Sequence, residues 1–316
     1  MTENRSRGGG VDVRGLVPVL TLVVLVVFAS LASDRFLSPL NIGNILVQSA
    51  IIAIVAMGMT FVIISGGFDL SVGSTVALSG CIAAWVMIDA GIVAGLGAGI
   101  AVGMLVGLFN GFVIGVLGVN PFITTLGTLV LVRGLVFLFT GGAPIVGLPQ
   151  EFIQFGRTRL GGVHLLVWIP VILLGVLSWV MHATVYGRWI YATGGGREAA
   201  YLSGIPVRFV TVSAYMWSGG LAGFAGVLLA SRLQSGQPTA GELYELTAIA
   251  AVVLGGAALH GGVGTLWRTI IGVLILIVIG NSLNLLGVDS YWQRVAEGTI
   301  IIAAAAIAAN RGLRQR

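Results

Sequence analysis

Lysine is absent: all sixteen basic residues are arginine. The chain therefore holds no Schiff-base lysine and no G-x-x-x-x-G-K-[ST] phosphate-binding lysine. If ATP drives its work, another polypeptide binds the nucleotide. Charge of either sign is scarce, at 9% of residues against 57% apolar, where soluble domains carry about 25%. With mean hydropathy +1.05, such a chain cannot cover a water-facing surface, and the bilayer is its solvent. The lone cysteine, Cys81, excludes an intrachain disulfide and a cysteine-based metal site. In its apolar run it reads as a small buried hydrophobe. His164, His182 and His260 lie far apart, with no H-E-x-x-H spacing. No Ser/His/Asp arrangement or aspartate pair suggests catalysis, so neither a catalytic residue nor a metal is expected. The net charge of +5 comes from scattered arginines without a basic, aromatic-interleaved patch, which argues against nucleic acid as a partner.

Apolar runs make up most of the chain. About 20 such residues cross a bilayer as a helix, and spans are expected near 15–33, 43–64, 71–89, 92–115, 121–141, 163–182, 208–230, 244–259, 266–286 and 292–309. The fold class is all-α integral membrane protein with about ten transmembrane helices, of which 244–259 is either a short crossing or a half-crossing. The first run, 16–32, ends in "ASLAS" like a signal peptide but exceeds the usual 7–15-residue core. It reads as an uncleaved first helix. An even count puts both termini on one side. Arg5, Arg7, Arg14, Arg188, Arg197, Arg311, Arg314 and Arg316 share that face, with Arg208 and Arg268 at span edges. Arg35, Arg157, Arg159, Arg232 and Arg294 fall on the other. The positive-inside rule makes 1–14 and 310–316 cytoplasmic tails around one membrane domain, 15–309, whose longest cytoplasmic loop is 183–207.

Glycine recurs every fourth position from Gly91 to Gly115, including Gly95, Gly99, Gly103 and Gly107. Small residues four apart let helix backbones approach closely in lipid. Four residues advance about 400° around a helix, so the ridge winds and should meet more than one neighbour. Alternatively, only the central glycines make contact. Gly219, Gly223 and Gly226 suggest a second close contact.

Polar residues interrupt the apolar runs. In "SGGFDLSVGS" (65–74), Gly66 and Gly67 stop one helix while Asp69 and Ser71 start the next. Asp69 either caps a helix at the cytoplasmic surface or lies in a break that dips into the membrane and lines a polar path. Arg133, well inside a span, either snorkels or faces the bundle interior, with Glu245 or Glu242 as partner. Gln48, Asn110, Asn120, Thr124, Thr125, Asn281, Asn284 and Gln293 could bond a polyhydroxylated solute or one another across helices. In the 183–207 loop, "REAAYL" (197–202) has good helix formers between Gly194–Gly196 and "SGIP". It is either a short surface helix fitted to a groove on a partner or an ordinary connection.

Several motifs occur in unbroken order: "GMTFVIISGGFDLSVGS" (58–74), "NPFITTLGT" (120–128), "ATGGGREAAYLSGI" (192–205), "QPTAGELYELTAIAAVVLGGAALHGGVGT" (237–265) and "NSLNLLGV" (281–288). Together they resemble the monosaccharide branch of the bacterial ABC importer permeases, the ribose, xylose and galactose type. The resemblance implies a cytoplasmic-membrane permease that works as a pair, with a homodimer expected. It also implies a cytoplasmic ATPase carrying ATP and Mg, and an extracytoplasmic sugar-binding protein. Gly194, Gly195, Arg197, Glu198, Ala199, Ala200, Leu202, Ser203, Gly204 and Ile205 would form the helix that couples to the ATPase. The substrate path would draw on Asp69, Ser71, Asn110, Asn120, Phe122, Thr124, Thr125, Arg133, Glu245, Asn281 and Asn284. Two positions depart from the family: Gly196 replaces a frequent Asn, and Thr247 a frequent Asp, which removes a carboxylate near the path. An ion-coupled secondary carrier is the alternative, with Asp69, Arg133 and Glu245 as intramembrane ionisable groups. A membrane enzyme acting on lipid-linked substrates would need a catalytic constellation that the spacing does not offer.

Overall fold

Proline and glycine punctuate the chain into helices. In the computed structural model, which describes residues 13–313, these are α1 (Val13–Ala32), α2 (Pro39–Ile64), α3 (Val72–Ala90), α4 (Ile92–Gly115) and α5 (Pro121–Thr140). After them come α6 (Gln150–Arg157), α7 (Leu165–Ala183), α8 (Val185–Gly195), α9 (Arg197–Leu202), α10 (Val207–Leu233), α11 (Tyr244–Leu254), α12 (Leu266–Leu285) and α13 (Ser290–Leu313). Pro39 and Pro121 open α2 and α5, where their missing N–H costs nothing. Ser38 and Asn120 cap those two helices by accepting from Asn41 N and from Phe122 N. Most of the expected 1–14 tail, and residues 314–316 of the other, lie outside the described residues.

Among the described residues, seven helices are long and apolar enough to cross a membrane: α2, α3, α4, α5, α7, α10 and α12. They match seven of the ten expected spans to within a few residues. The 244–259 run supplies only the eleven residues of α11, about 16 Å of helix at 1.5 Å per residue, roughly half the hydrocarbon core. One departure from the all-α expectation is a minimal hairpin, β1 (Arg159–Leu160) with β2 (Val163–His164). Its turn glycines, Gly161 and Gly162, have φ of +61° and +82°. Burial, with Arg159 and Arg232 nearby, holds the His164 imidazole below its usual value.

The bundle is layered. α2 and α10 form its centre, with α3 beside them, while α4, α5 and α7 turn broad apolar faces outward. The buried stripe of α4 is its glycine ridge plus Asn110 and Ile114. A Cβ on Gly95 would strike Met87 and Ala83 of α3, on Gly103 the backbone of Gly219 and Gly223, and on Gly111 the backbone of Val212 in α10. The ridge therefore meets two neighbours in turn, as its winding requires, and only Gly91 faces open space. The second set answers the first: a Cβ on Gly223 would sit 2.8 Å from Gly99 O.

At Gly103 the contact is backbone on backbone, with no side chain able to yield. Gly103→Val should cost about 1–3 kcal/mol, the usual range for overpacking, and lower the melting temperature in detergent. Gly97→Val on the open side of α4, where a Cβ meets nothing within 4 Å, should leave it unchanged.

Candidate functional site

The break between α2 and α3 is built by local chemistry. Gly66 turns the chain at φ +90°, which only glycine adopts without strain. Its N–H and that of Gly67 return to Ile63 O and Val62 O at 3.0 and 2.9 Å. Asp69 Oδ1 then accepts from Ser71 N at 3.0 Å and from Ser71 Oγ at 2.6 Å, and α3 begins.

Asp69 is more than a cap. It is 1% exposed, and its Oδ2 accepts from Ser218 Oγ, near the middle of α10, at 2.8 Å. Asn110 of α4 donates from Nδ2 to Ser71 Oγ at 2.9 Å, and Thr128 of α5 donates to Asn110 Oδ1 at 2.6 Å. Tyr215 of α10 donates to Phe68 O at 2.9 Å. Three helices are thus tied to one seven-residue break, and a Cβ on Gly67 would overlap the Tyr215 hydroxyl. Burial of a carboxylate on this scale is tolerated because both oxygens accept hydrogen bonds.

The other expected path residues lie in separate places. Thr125 bonds Pro121 O at 2.8 Å and reaches Phe68 O at 3.4 Å, while Thr124 bonds Asn120 O at 3.0 Å. Asn120 is the cap of α5, and Phe122 beside it is exposed. Asn281 exchanges amide bonds with Asn41 of α2 at 2.7 and 3.0 Å, a clamp between α12 and α2. Asn284 is exposed at the end of α12. Arg133 donates from Nη1 to Pro238 O at 2.9 Å and Ala240 O at 3.1 Å. Its direct partners are therefore backbone carbonyls of the loop before α11, with the charges of Glu245 and Glu242 acting from nearby. Glu245 packs against Gly73, where an added Cβ would overlap its Oε2, and that Oε2 has no hydrogen-bond partner.

At the end of α2 a second construction begins. The "REAAYL" segment is the short helix α9, with Arg197, Glu198, Ala199, Tyr201 and Leu202 exposed and Ala200 buried beneath. Tyr201 is 71% exposed and Leu202 78%, an apolar pair presented outward. Ser203, with its hydroxyl on Ala199 O, and Gly204 at φ +80° close the helix, and Ile205 N returns to Ala200 O. Gly196 N caps α8 on Ala192 O at 3.1 Å, and Gly195 is open. Gly194 presses against Ile64 O, the last carbonyl of α2, which accepts from Gly262 N at 2.9 Å. Tyr191 donates to Gly264 O at 2.8 Å. Burial pushes the Tyr186 phenol up to about 12, and it donates to Ser213 Oγ at 2.8 Å, so α8 is anchored to α10 by neutral groups.

Residues 41–305 match the family described as "Branched-chain amino acid transport system / permease component". The ribose import permease RbsC of Bacillus subtilis (strain 168) is 49% identical over 294 residues, covering 92% of this chain and 91% of that one. RbsC of Escherichia coli (strain K12) is 41% identical, covering 90% and 91%. The D-allose permease AlsC of the same strain is 37% identical, covering 90% and 88%. The chain belongs to the monosaccharide branch of the bacterial ABC importer permeases. No solved structure matches it significantly.

Within this permease, no group of His, Cys, Asp and Glu that could hold a metal ion occurs among the described residues. Asp69, Ser71, Asn110 and Thr125 meet at one break, whereas Arg133 and Glu245 lie by the loop before α11. The residues that complete the break, Tyr215, Ser218 and Thr128, had no local signal: each is one small or aromatic residue in an apolar helix.

Proposed function

We propose that this permease is one half of a homodimer that imports a monosaccharide, ribose being the first to test. A cytoplasmic ATPase would drive it with ATP and Mg, and an extracytoplasmic binding protein would deliver the sugar. The observation that carries this reading is identity of 41–49% over nine-tenths of permeases named for ribose import. In this account α1, α11 and α13 join the seven long helices to give ten membrane segments, α11 supplying half of its crossing as helix and the 234–243 segment, which runs back along α3, the other half. Both termini are cytoplasmic by the arginine distribution. α9 is then the coupling helix, and the outward Tyr201–Leu202 pair seats in the ATPase.

Force on α9 would reach the membrane part through Gly194 and Ile64 O, and hence through Gly66 to the Asp69 break. Sliding between packed arrangements along the α4–α10 glycine contact fits a shear motion. The test is uptake of labelled ribose by proteoliposomes holding permease, ATPase and binding protein with internal ATP. Tyr201→Ser with Leu202→Ser should abolish uptake and ATPase co-purification while the permease dimer still assembles. Uptake by the permease alone under an ion gradient would favour a secondary carrier instead.

A further inference from the structure

The Asp69 network is closed on itself: its carboxylate, amide and hydroxyl groups bond one another and leave little to offer a sugar. A different part of the molecule has the opposite character. A cavity of about 220 Å³ lies between α2, α11, α12 and α13. Gln48, Glu242, Gln293, Arg294 and Glu297 line it, above an apolar floor that includes Ile52 and Leu276.

These polar groups keep bonding capacity. Glu297 spends Oε1 on Thr247 at 2.8 Å, leaving Oε2. Gln293 spends Nε2 on Val288 O at 2.8 Å, leaving its carbonyl. Gln48 is exposed and lines the cavity, and its side-chain amide makes no hydrogen bond within the described residues. Carboxylate and amide oxygens accept from hydroxyls, while Arg294 and the Gln48 amide donate to them. That is the inventory a polyhydroxylated ring requires, and the apolar floor suits its C–H face. The volume lies below the roughly 300–1,000 Å³ of drug-sized pockets, which suits one small ring.

Position agrees with this. Gln48 lies in the first half of α2, whose other end, Ile64, touches the coupling segment at Gly194. Thr247 opens α11, Gln293 to Glu297 open α13, and Leu276 to Leu283 belong to the second half of α12. All four helices thus present the cavity at the end of the bundle away from α9.

We propose that this cavity is a transit site for one monosaccharide, entered from the face opposite the ATPase, with Gln48, Glu242, Gln293 and Glu297 bonding its hydroxyls. The proposal rests on the reading of the chain as a sugar permease. Gly280 provides a fold-safe probe: it lines the cavity, and a Cβ built there meets nothing within 4 Å. The experiment is labelled-ribose uptake by the complete reconstituted transporter, with ATP hydrolysis without sugar and co-purification of the subunits measured alongside. Gly280→Leu, by filling the space, and Gln48→Leu, by removing an amide, should each cut uptake about ten-fold or more while assembly and sugar-independent hydrolysis persist. Gly175→Leu, on the open face of α7, should leave uptake unchanged. Wild-type uptake in both cavity variants would overturn the site. Failure of the wild-type transporter to import ribose or any other monosaccharide offered would instead overturn the sugar-permease reading itself.

Discussion

Asp69→Ala will unfold the permease at a markedly lower temperature than the wild type, whereas Asp69→Asn will keep its fold and most of its uptake. Alanine strands the Ser71 N–H and the Ser71 and Ser218 hydroxyls, which all donate to this carboxylate. The hydroxyls can turn toward backbone carbonyls, but the Ser71 N–H cannot. An unsatisfied buried group costs about 1–3 kcal/mol, and with the void left by the side chain the total is about 2–4 kcal/mol. Asparagine keeps an acceptor for Ser71, and its amide can donate to a reversed Ser218 hydroxyl. Its loss is below about 1 kcal/mol, as for other Asp-to-Asn caps. Melting by intrinsic fluorescence in detergent and ATP-driven uptake measure the two halves. A fully folded Asp69→Asn protein without uptake would show that the carboxylate's charge serves the transport cycle, as the carrier alternative requires.

Physical pattern made some of this legible in the sequence. The four-residue glycine spacing located the α4 face that packs closely, because only backbone approach explains such regularity. Of the two readings left open for "REAAYL", a short helix or an ordinary connection, the helix is the one that forms, over Arg197–Leu202, since helix formers and breakers act locally. What sequence could not resolve was which neighbour each helix meets. α2 and α4 are equally apolar, yet the share buried inside the protein is 94% for one and 22% for the other. Hydropathy records a preference for oil and does not distinguish protein from lipid. The same limit hid Ser218 and Tyr215, and it left Arg133 open between snorkelling and a carboxylate partner, when carbonyls of a loop hold it with the charges of Glu245 and Glu242 nearby. The Asn281–Asn41 clamp also shows why a polar residue within a span is weak evidence for a path. It satisfies another helix as readily as a solute.

The second large effect concerns one glycine at the α9 end of the bundle. Gly194→Ala should abolish ATP-driven uptake, while Gly195→Ala, one residue on, should cost far less. The two differ only in surroundings. At Gly195 a Cβ meets nothing within 4 Å, whereas at Gly194 it would overlap Ile64 O and lie 2.6 Å from Gly262 N. Those two atoms hydrogen-bond each other, so a methyl group at Gly194 must push α8 from α2 or break the bond that ends α2. Gly261 and Gly66 crowd the same point, each within about 4 Å of Gly194 once a Cβ is built on it, so no flexible side chain can absorb the displacement. The break holding Asp69 starts one residue beyond Ile64, and α9 starts three beyond Gly194. A separation here would therefore uncouple α9, the proposed coupling helix, from the interior network and leave the glycine contact of α4 with α10 intact. The expected result is a permease that assembles with its ATPase but whose hydrolysis no longer responds to sugar-loaded binding protein. Wild-type stimulation and uptake in Gly194→Ala would show that force from α9 reaches the bundle by another route, such as Tyr186 and its bond to Ser213 of α10.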